Sequence, residues 1–269
     1  MKLAFIGGGN MAQAMLGGLN DGGIEASAVH VLEPDRAKGK ELAKDFCLSA
    51  HTGAGDWLHE VDVVVLAVKP QQMREAVRPV AEHCAAALVI SIAAGIRGNT
   101  LQRWLGHDRI VRAMPNTPAL VRAGITGAVA LAGVSAAQRA AADRILRTTG
   151  SVMWLADEAL LDPVTAISGS GPAYVFYFIE ALQQAAQGMG FSDEQATTLA
   201  LQTFLGATRL ADQSEVSVAT LRERVTSKGG TTAAGLAQLD AAGVRAGIIA
   251  AAQAALARAK ELGDEFDRD

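Results

Sequence analysis

Apolar residues gather in short runs along the first 155 positions and in helical stripes after them. The runs Lys2–Gly7, Ala28–Glu33, Val61–Val68, Leu88–Ala93 and Arg109–Met114 alternate with stretches of helical periodicity, which predicts a βαβ series. Val63 to Val68 is apolar without a break. A strand covered by helices on both faces reads this way, because neither side meets water. A further strand pair is predicted at Ile125–Leu131 and Ser151–Leu155, with a capping box of Ser135 and Gln138 opening the helix between them.

Beyond Asp157 the strand signals stop. Val175, Phe178, Ile179, Leu182, Ala186 and Met189 recur at helical spacing and mark one face of a helix. Pro172 suits its first turn, where the missing N–H is unpaired in any case. Gly188 and Gly190 can end it, and Ser192 with Gln195 gives a capping box for the next helix. The Ala-rich tail from Ala233 to Leu262 reads as helical. The expected class is α/β: a Rossmann-type doubly wound sheet over residues 1–155, then an all-α domain over residues 156–269.

The segment Phe5-Ile6-Gly7-Gly8-Gly9-Asn10-Met11-Ala12 fits G-x-G-x-x-A, directly after a predicted strand and at the start of an apolar helix. Gly7 permits the tight turn, Gly9 lets a pyrophosphate approach the backbone, and Ala12 lets helix and sheet pack closely. The helix N-terminus then offers N–H groups and a positive dipole end to phosphates. The second strand ends at Glu33-Pro34-Asp35-Arg36. An acidic residue there accepts hydrogen bonds from the ribose 2′-hydroxyl of NAD, and a nearby arginine holds the 2′-phosphate of NADP. The sequence offers both Glu33 and Arg36, and the choice stays open.

Composition narrows the class of partner. The net charge is −4 with no block of like charge, which supplies nothing to attract nucleic acid or an anionic membrane. Cys47 and Cys84 lack metal-ligand spacing, so no metal site is expected. All five histidines lie outside the motifs, with surface or structural roles expected. No window approaches the ~18 apolar residues of a transmembrane helix, and no signal-peptide h-region is visible. A cytoplasmic protein is expected.

Four further segments carry a resemblance: Leu66-Ala67-Val68-Lys69-Pro70, Met114-Pro115-Asn116-Thr117-Pro118, Ser168-Gly169-Ser170-Gly171-Pro172-Ala173-Tyr174 and Val225-Thr226-Ser227-Lys228-Gly229-Gly230-Thr231-Thr232. In this order and spacing, with the glycine fingerprint, the chain resembles pyrroline-5-carboxylate reductase over essentially its whole length. The resemblance implies reduction of the cyclic imine 1-pyrroline-5-carboxylate to L-proline, the last step of proline biosynthesis, with hydride from NADPH or alternatively NADH. It also implies second domains that interlock into a homodimer or an assembly of dimers.

Strand ends at Ala67–Pro70 and at Ala93-Ala94-Gly95 lie where a doubly wound sheet binds ligands, with small residues leaving space for the nicotinamide half. Lys69 is a candidate cofactor contact or a solvated strand-end lysine, and Asn116 either an amide beside the nicotinamide or an ordinary turn contact. The loop Ser227–Thr232 precedes a predicted helix and makes an anion site from glycine N–H groups and hydroxyls. The resemblance assigns Gly230, Thr231 and Thr232 to the substrate carboxylate and ring. It gives the Thr232 hydroxyl a hydrogen bond to the imine nitrogen, and makes Glu215 a substrate-binding residue. Two departures stand out: Lys228 where the family usually has proline, and Ala54 where it commonly has asparagine.

Other readings compete. A β-hydroxyacid dehydrogenase carries a catalytic lysine on the helix after its second glycine-rich segment, but Tyr174 to Ile179 contains none. Another imine reductase shares the hydride chemistry. A non-catalytic NAD(P)-binding regulator has no need of a substrate carboxylate loop such as Ser227–Thr232.

Overall fold

The computed structural model describes residues 1–19 and 21–267. The strands are β1 (Leu3–Ile6), β2 (Val29–Leu32), β3 (Ser49–His51), β4 (Val63–Leu66), β5 (Leu88–Ser91), β6 (Ile110–Met114), β7 (Gly124–Ala130) and β8 (Gly150–Trp154). The helices are α1 (Asn10–Gly18), α2 (Arg36–Phe46), α3 (Met73–Val77), α4 (Gly98–Leu105), α5 (Ala136–Leu146) and α6 (Leu161–Val164). They continue with α7 (Gly171–Gly188), α8 (Asp193–Asp212), α9 (Val218–Arg224), α10 (Thr231–Ala241) and α11 (Val244–Asp267). No single helix among the described residues is long and apolar enough to cross a membrane.

Contacts divide the chain into two compact units, Met1–Ser170 with Ala255–Asp269, and Gly171–Ala254. The helical region expected from residue 156 onward is therefore shared: its first turns and last helical segment pack with the sheet. Arg97 shows why at the C-terminal end, where its guanidinium pairs with Asp264 at 2.5 Å and Asp267 at 2.6 Å on α11.

In the first unit the strand order is β3-β2-β1-β4-β5-β6-β7-β8. Pairing is parallel except between β6 and β7. The order reverses between β1 and β4, the switch point at which such sheets bind ligands. Period-two alternation divides the core. Leu3, Phe5, Val63, Val65, Leu88 and Ile90 fill one face, while Ala4, Ile6, Val64, Leu66 and Val89 fill the other. Both faces are buried, which explains the unbroken apolar run of β4.

The doubly wound sheet followed by helices matches the expected class, with two local differences. β3 carries Ser49-Ala50-His51 on a sheet edge, too short and polar to announce itself. The β6–β7 pairing is antiparallel because only a short turn, Thr117–Val121, joins them, and no crossover helix intervenes. Both capping boxes form, at Ser135/Gln138 and Ser192/Gln195.

The second unit holds α7 to α10 and the start of α11. α7 and α8 pack on each other, with Ala196 and Ala200 of α8 buried. The apolar face expected on α7 forms but is only partly covered: Phe178 and Ile179 are half-buried, while Val175, Leu182 and Met189 are exposed. Tyr174, Tyr177, Phe178, Phe204, Leu239 and Ile248 border an apolar hollow of about 740 Å³ within this unit.

Candidate functional site

The turn after β1 is built by a residue that other side chains cannot replace. Gly7 has φ +96, and a Cβ there would lie 2.7 Å from Val68 Cγ1. Gly9 differs. Its φ is −69, and a Cβ added there would meet only Ala67 O, at 4.0 Å. The space beside Gly9 is thus open on the protein side, a cradle that a side chain would fill. Gly9 is also the N-cap of α1 and makes no side-chain cap, so the opening N–H groups of α1 stay available to an anion.

A cleft of about 670 Å³ runs from this turn past the ends of β2 and β4. That volume lies within the range of small-molecule sites. Ile6, Gly7, Gly8 and Gly9 form one wall, Glu33, Pro34 and Lys38 another, and Ala67, Val68 and Lys69 a third. Thr52, Gly53 and Ala54, beyond β3, close the side next to Glu33. The residues present fit a dinucleotide: an uncapped helix N-terminus for phosphates, a cradle at Gly9, and a carboxylate at the end of β2.

Glu33 is buried, and its carboxylate joins three segments. Oε2 accepts from Gly8 N–H at 3.2 Å and from Lys38 Nζ at 2.7 Å, while Oε1 accepts from Asp35 N–H at 3.3 Å. Burial pushes the Glu33 carboxyl up, but the Lys38 ammonium and the Asp35 and Gly8 amides outweigh it and hold it below the usual carboxylate range. The Asp35 side chain caps α2 by accepting from Ala37 and Lys38 N–H.

Arg36, the cation expected beside the ribose, is exposed and lies outside the cleft lining, where Lys38 stands instead. Both belong to the first turn of α2, and two residues along a helix turn the side chain by about 200°. The sequence signal for Lys38 was a second cation two places after Arg36, legible only once the start of α2 was fixed.

The remaining expected positions divide by setting. Ala12 is buried in the sheet–helix core, Asn10 is exposed, and Met11 is half-buried. Pro70 opens a short 3₁₀ turn after β4. Ala93 is buried, Ala94 half-buried, and Gly95 backs onto Leu262 and Phe266 of α11. Asn116 is buried with its amide engaged: Nδ2 donates to Ser168 O at 3.1 Å, and Oδ1 accepts from Ile125 N–H at 3.0 Å. Its side chain thereby fixes the loop after β6 to the start of β7 and to the π-helical turn Thr165–Gly169.

In the second unit, the loop between α9 and α10 carries the other expected set. Gly230 is the N-cap of α10 without a side-chain cap, and Thr231 and Thr232 are its first two residues, both exposed. Ser227 is exposed, and its carbonyl accepts from Gly230 N–H at 3.1 Å. The helix therefore opens on free N–H groups and two hydroxyls, an arrangement suited to a carboxylate. Glu215 is exposed in the segment before α9.

Residues 158–262 match the family described as pyrroline-5-carboxylate reductase dimerisation, and residues 2–95 match NADP oxidoreductase coenzyme F420-dependent. A pyrroline-5-carboxylate reductase of Pseudomonas aeruginosa is 43% identical over 267 residues, covering 98% of both chains. The solved structure of a pyrroline-5-carboxylate reductase from Coxiella burnetii superposes with TM-score 0.91 at 40% identity, covering 97% of this chain and 98% of that one. A Plasmodium falciparum pyrroline carboxylate reductase, solved with NADP bound, gives TM-score 0.87 at 30% identity over 98% of both chains.

Proposed function

The chain belongs to the pyrroline-5-carboxylate reductase family, and on that premise we propose that it reduces 1-pyrroline-5-carboxylate to L-proline by hydride transfer from NADPH, with NADH as an alternative donor. The observation that carries the reading is a relative of that activity aligned over 98% of both chains, joined to a cleft whose glycine turn, helix N-terminus and carboxylate suit a dinucleotide.

The cofactor supplies the hydride; the protein's residues position and bind. The dinucleotide is held by Ile6 to Met11, Glu33, Pro34, Ala67 to Pro70 and Ala93 to Gly95, with Ala12 packing α1 on the sheet and Asn116 fixing the loop after β6. The carboxylate of the substrate is met by the N–H groups and hydroxyls of Ser227, Gly230, Thr231 and Thr232, with Glu215 contributing to substrate binding. The Thr232 hydroxyl hydrogen-bonds the imine nitrogen. A protonated imine is already a strong electrophile, so neither a covalent nucleophile nor a general acid of tuned pKa is required of these residues. Lys228 adds a positive charge beside the carboxylate loop in place of the stiffening proline usual at that position.

Residues 156–269 act as the substrate and dimerisation domain of a cytoplasmic enzyme. The uncovered apolar face of α7 supports a homodimer or an assembly of dimers, since contiguous exposed apolar surface marks an interaction site. Steady-state assays with pyrroline-5-carboxylate and each reduced nicotinamide test the activity. Proline formation coupled to nicotinamide oxidation is expected; no oxidation with either cofactor refutes it.

A further inference from the structure

We propose that Asp56, His59 and His83 form a binding site for one divalent transition ion of the zinc class. The inference stands apart from the dinucleotide reading, since none of the three residues lines that cleft.

Two segments bring the donors together. Asp56 and His59 belong to the 3₁₀ turn Asp56–Glu60, in which side chains three residues apart eclipse one another. They therefore share one face, with His59 Nε2 4.0 Å from Asp56 Oδ1. His83 comes from the turn leading into β5, and its Nδ1 lies 3.1 Å from the same His59 Nε2. The two rings are tilted by 60° with centroids 4.8 Å apart, so they meet nitrogen to nitrogen rather than face to face. One donor atom from each residue falls within 4.8 Å of the other two. An ion about 2.1 Å from each ligand spans at most about 4.2 Å between any two of them, and both measured separations fit. Asp56 is fully exposed, and rotation of its carboxylate closes the remaining gap.

The chain holds both histidines in place. Leu58, beside His59, and Cys84, beside His83, are buried in the same half of the core. The donors thus stand on anchored turns while their tips reach solvent, a preorganised set open to an ion. The histidines precede the N-terminal ends of the parallel strands β4 and β5. Cysteine spacing gives no hint of this site, because the histidines meet from turns 24 residues apart.

The donor set selects the ion. Two imidazoles and a carboxylate suit Zn²⁺, Ni²⁺ and Cu²⁺, whereas Mg²⁺ and Ca²⁺ take oxygen ligands. Without an ion, the two facing nitrogens share one proton; an ion replaces it and uses both lone pairs, with each ring keeping its proton on the other nitrogen. Three protein ligands leave the fourth position to water. Bound there, the ion clips the turn before β4 to the turn before β5. Because the donors converge only in the folded chain, binding stabilises the fold.

The test uses chelator-treated, tag-free chain titrated with Zn²⁺ in excess Mg²⁺, followed by calorimetry and by NMR of the histidine ring protons. Saturable binding of one Zn²⁺ per chain is expected. The ring signals of His59 and His83 should move, and those of His30, His51 and His107 should stay. That measurement on the wild type is free of any folding defect. His59→Gln, His83→Gln and Asp56→Asn are each expected to weaken Zn²⁺ by at least roughly 10-fold, the lower bound for disturbing even an outer-shell partner of a metal. Cys47→Ser removes the exposed thiol and should bind as the wild type does. Zn²⁺ should raise the melting temperature of the wild type but not of His83→Gln.

Absence of saturable binding, or His59 and His83 signals that stay fixed at saturation, overturns the inference. So does loss of binding in Cys47→Ser while both histidine variants still bind, or a melting temperature raised equally in His83→Gln.

Discussion

Arg112 and Glu158 are joined by an ion pair that ties the centre of the sheet to the chain leaving it. The Arg112 guanidinium on β6 is buried, and Glu158 Oε1 accepts from it and also, at 2.6 Å, from Gly98 N–H at the start of α4. Glu158 thus compensates a buried cation and occupies a free helix N–H at once. Glu158→Ala strips both away and is expected to lower stability by about 3 kcal/mol, because a buried charge left unpaired costs several kcal/mol. Denaturant unfolding checks this. A change under ~0.5 kcal/mol, typical of surface substitutions, would contradict the structural role.

Gly9 and Gly7 separate binding from folding. A Cβ added at Gly9 meets only Ala67 O, at 4.0 Å, so Gly9→Val is expected to leave the circular dichroism spectrum unchanged and to cost no more than the roughly 1 kcal/mol of a poorer N-cap. The same side chain fills the phosphate cradle, and NADPH affinity should fall by about 100-fold or more, since overpacking a fitted site costs up to ~3 kcal/mol. Gly7→Ala places a Cβ 2.7 Å from Val68 Cγ1 at φ +96 and should destabilise the fold itself. Fluorescence titration alongside thermal unfolding distinguishes the two variants.

Thr232→Ala should reduce turnover with pyrroline-5-carboxylate by roughly 10- to 100-fold, the range for a hydrogen bond to a charged group. Dinucleotide affinity should hardly move, because the glycine turn, Glu33 and the strand ends that line the cleft all belong to the first unit. Equal losses in turnover and in NADPH binding would sink the assigned role.

His30 and His51 give the protein a pH signature unrelated to catalysis. His30 Nδ1 lies 3.0 Å from His51 Nε2, and the His51 ring stacks on Trp57 with centroids 3.9 Å apart. Burial, with Lys2 as a smaller cause, lowers the His30 pKa, and burial followed by His30 lowers that of His51. The folded state therefore binds fewer protons than the unfolded chain. The stability contributed is full above the ordinary histidine pKa of about 6.5 and is lost as pH falls through the lowered values. NMR titration of the ring protons should show midpoints below the free-histidine value for both. Midpoints at or above it remove the linkage.

The amino-acid pattern determined the described strands other than β3, the glycine turn and the helix starts at Ser135 and Ser192, because these depend on neighbours in the chain. The unbroken apolar runs of β1 and β4, the caps at Ser135 and Ser192, and the fingerprint ending at Ala12 are all written within a few residues. Tertiary contact decided what depends on distant partners. Lys38 rather than Arg36 reaches the cleft because the start of α2 fixes which way each side chain turns. Asn116 spends its amide on Ile125 and Ser168, the latter 52 positions away. The edge strand Ser49–His51 exists only because β2 offers it open N–H and C=O groups. Local periodicity encodes which face is apolar, but it carries no record of which polar atom a buried donor will meet once the sheet closes.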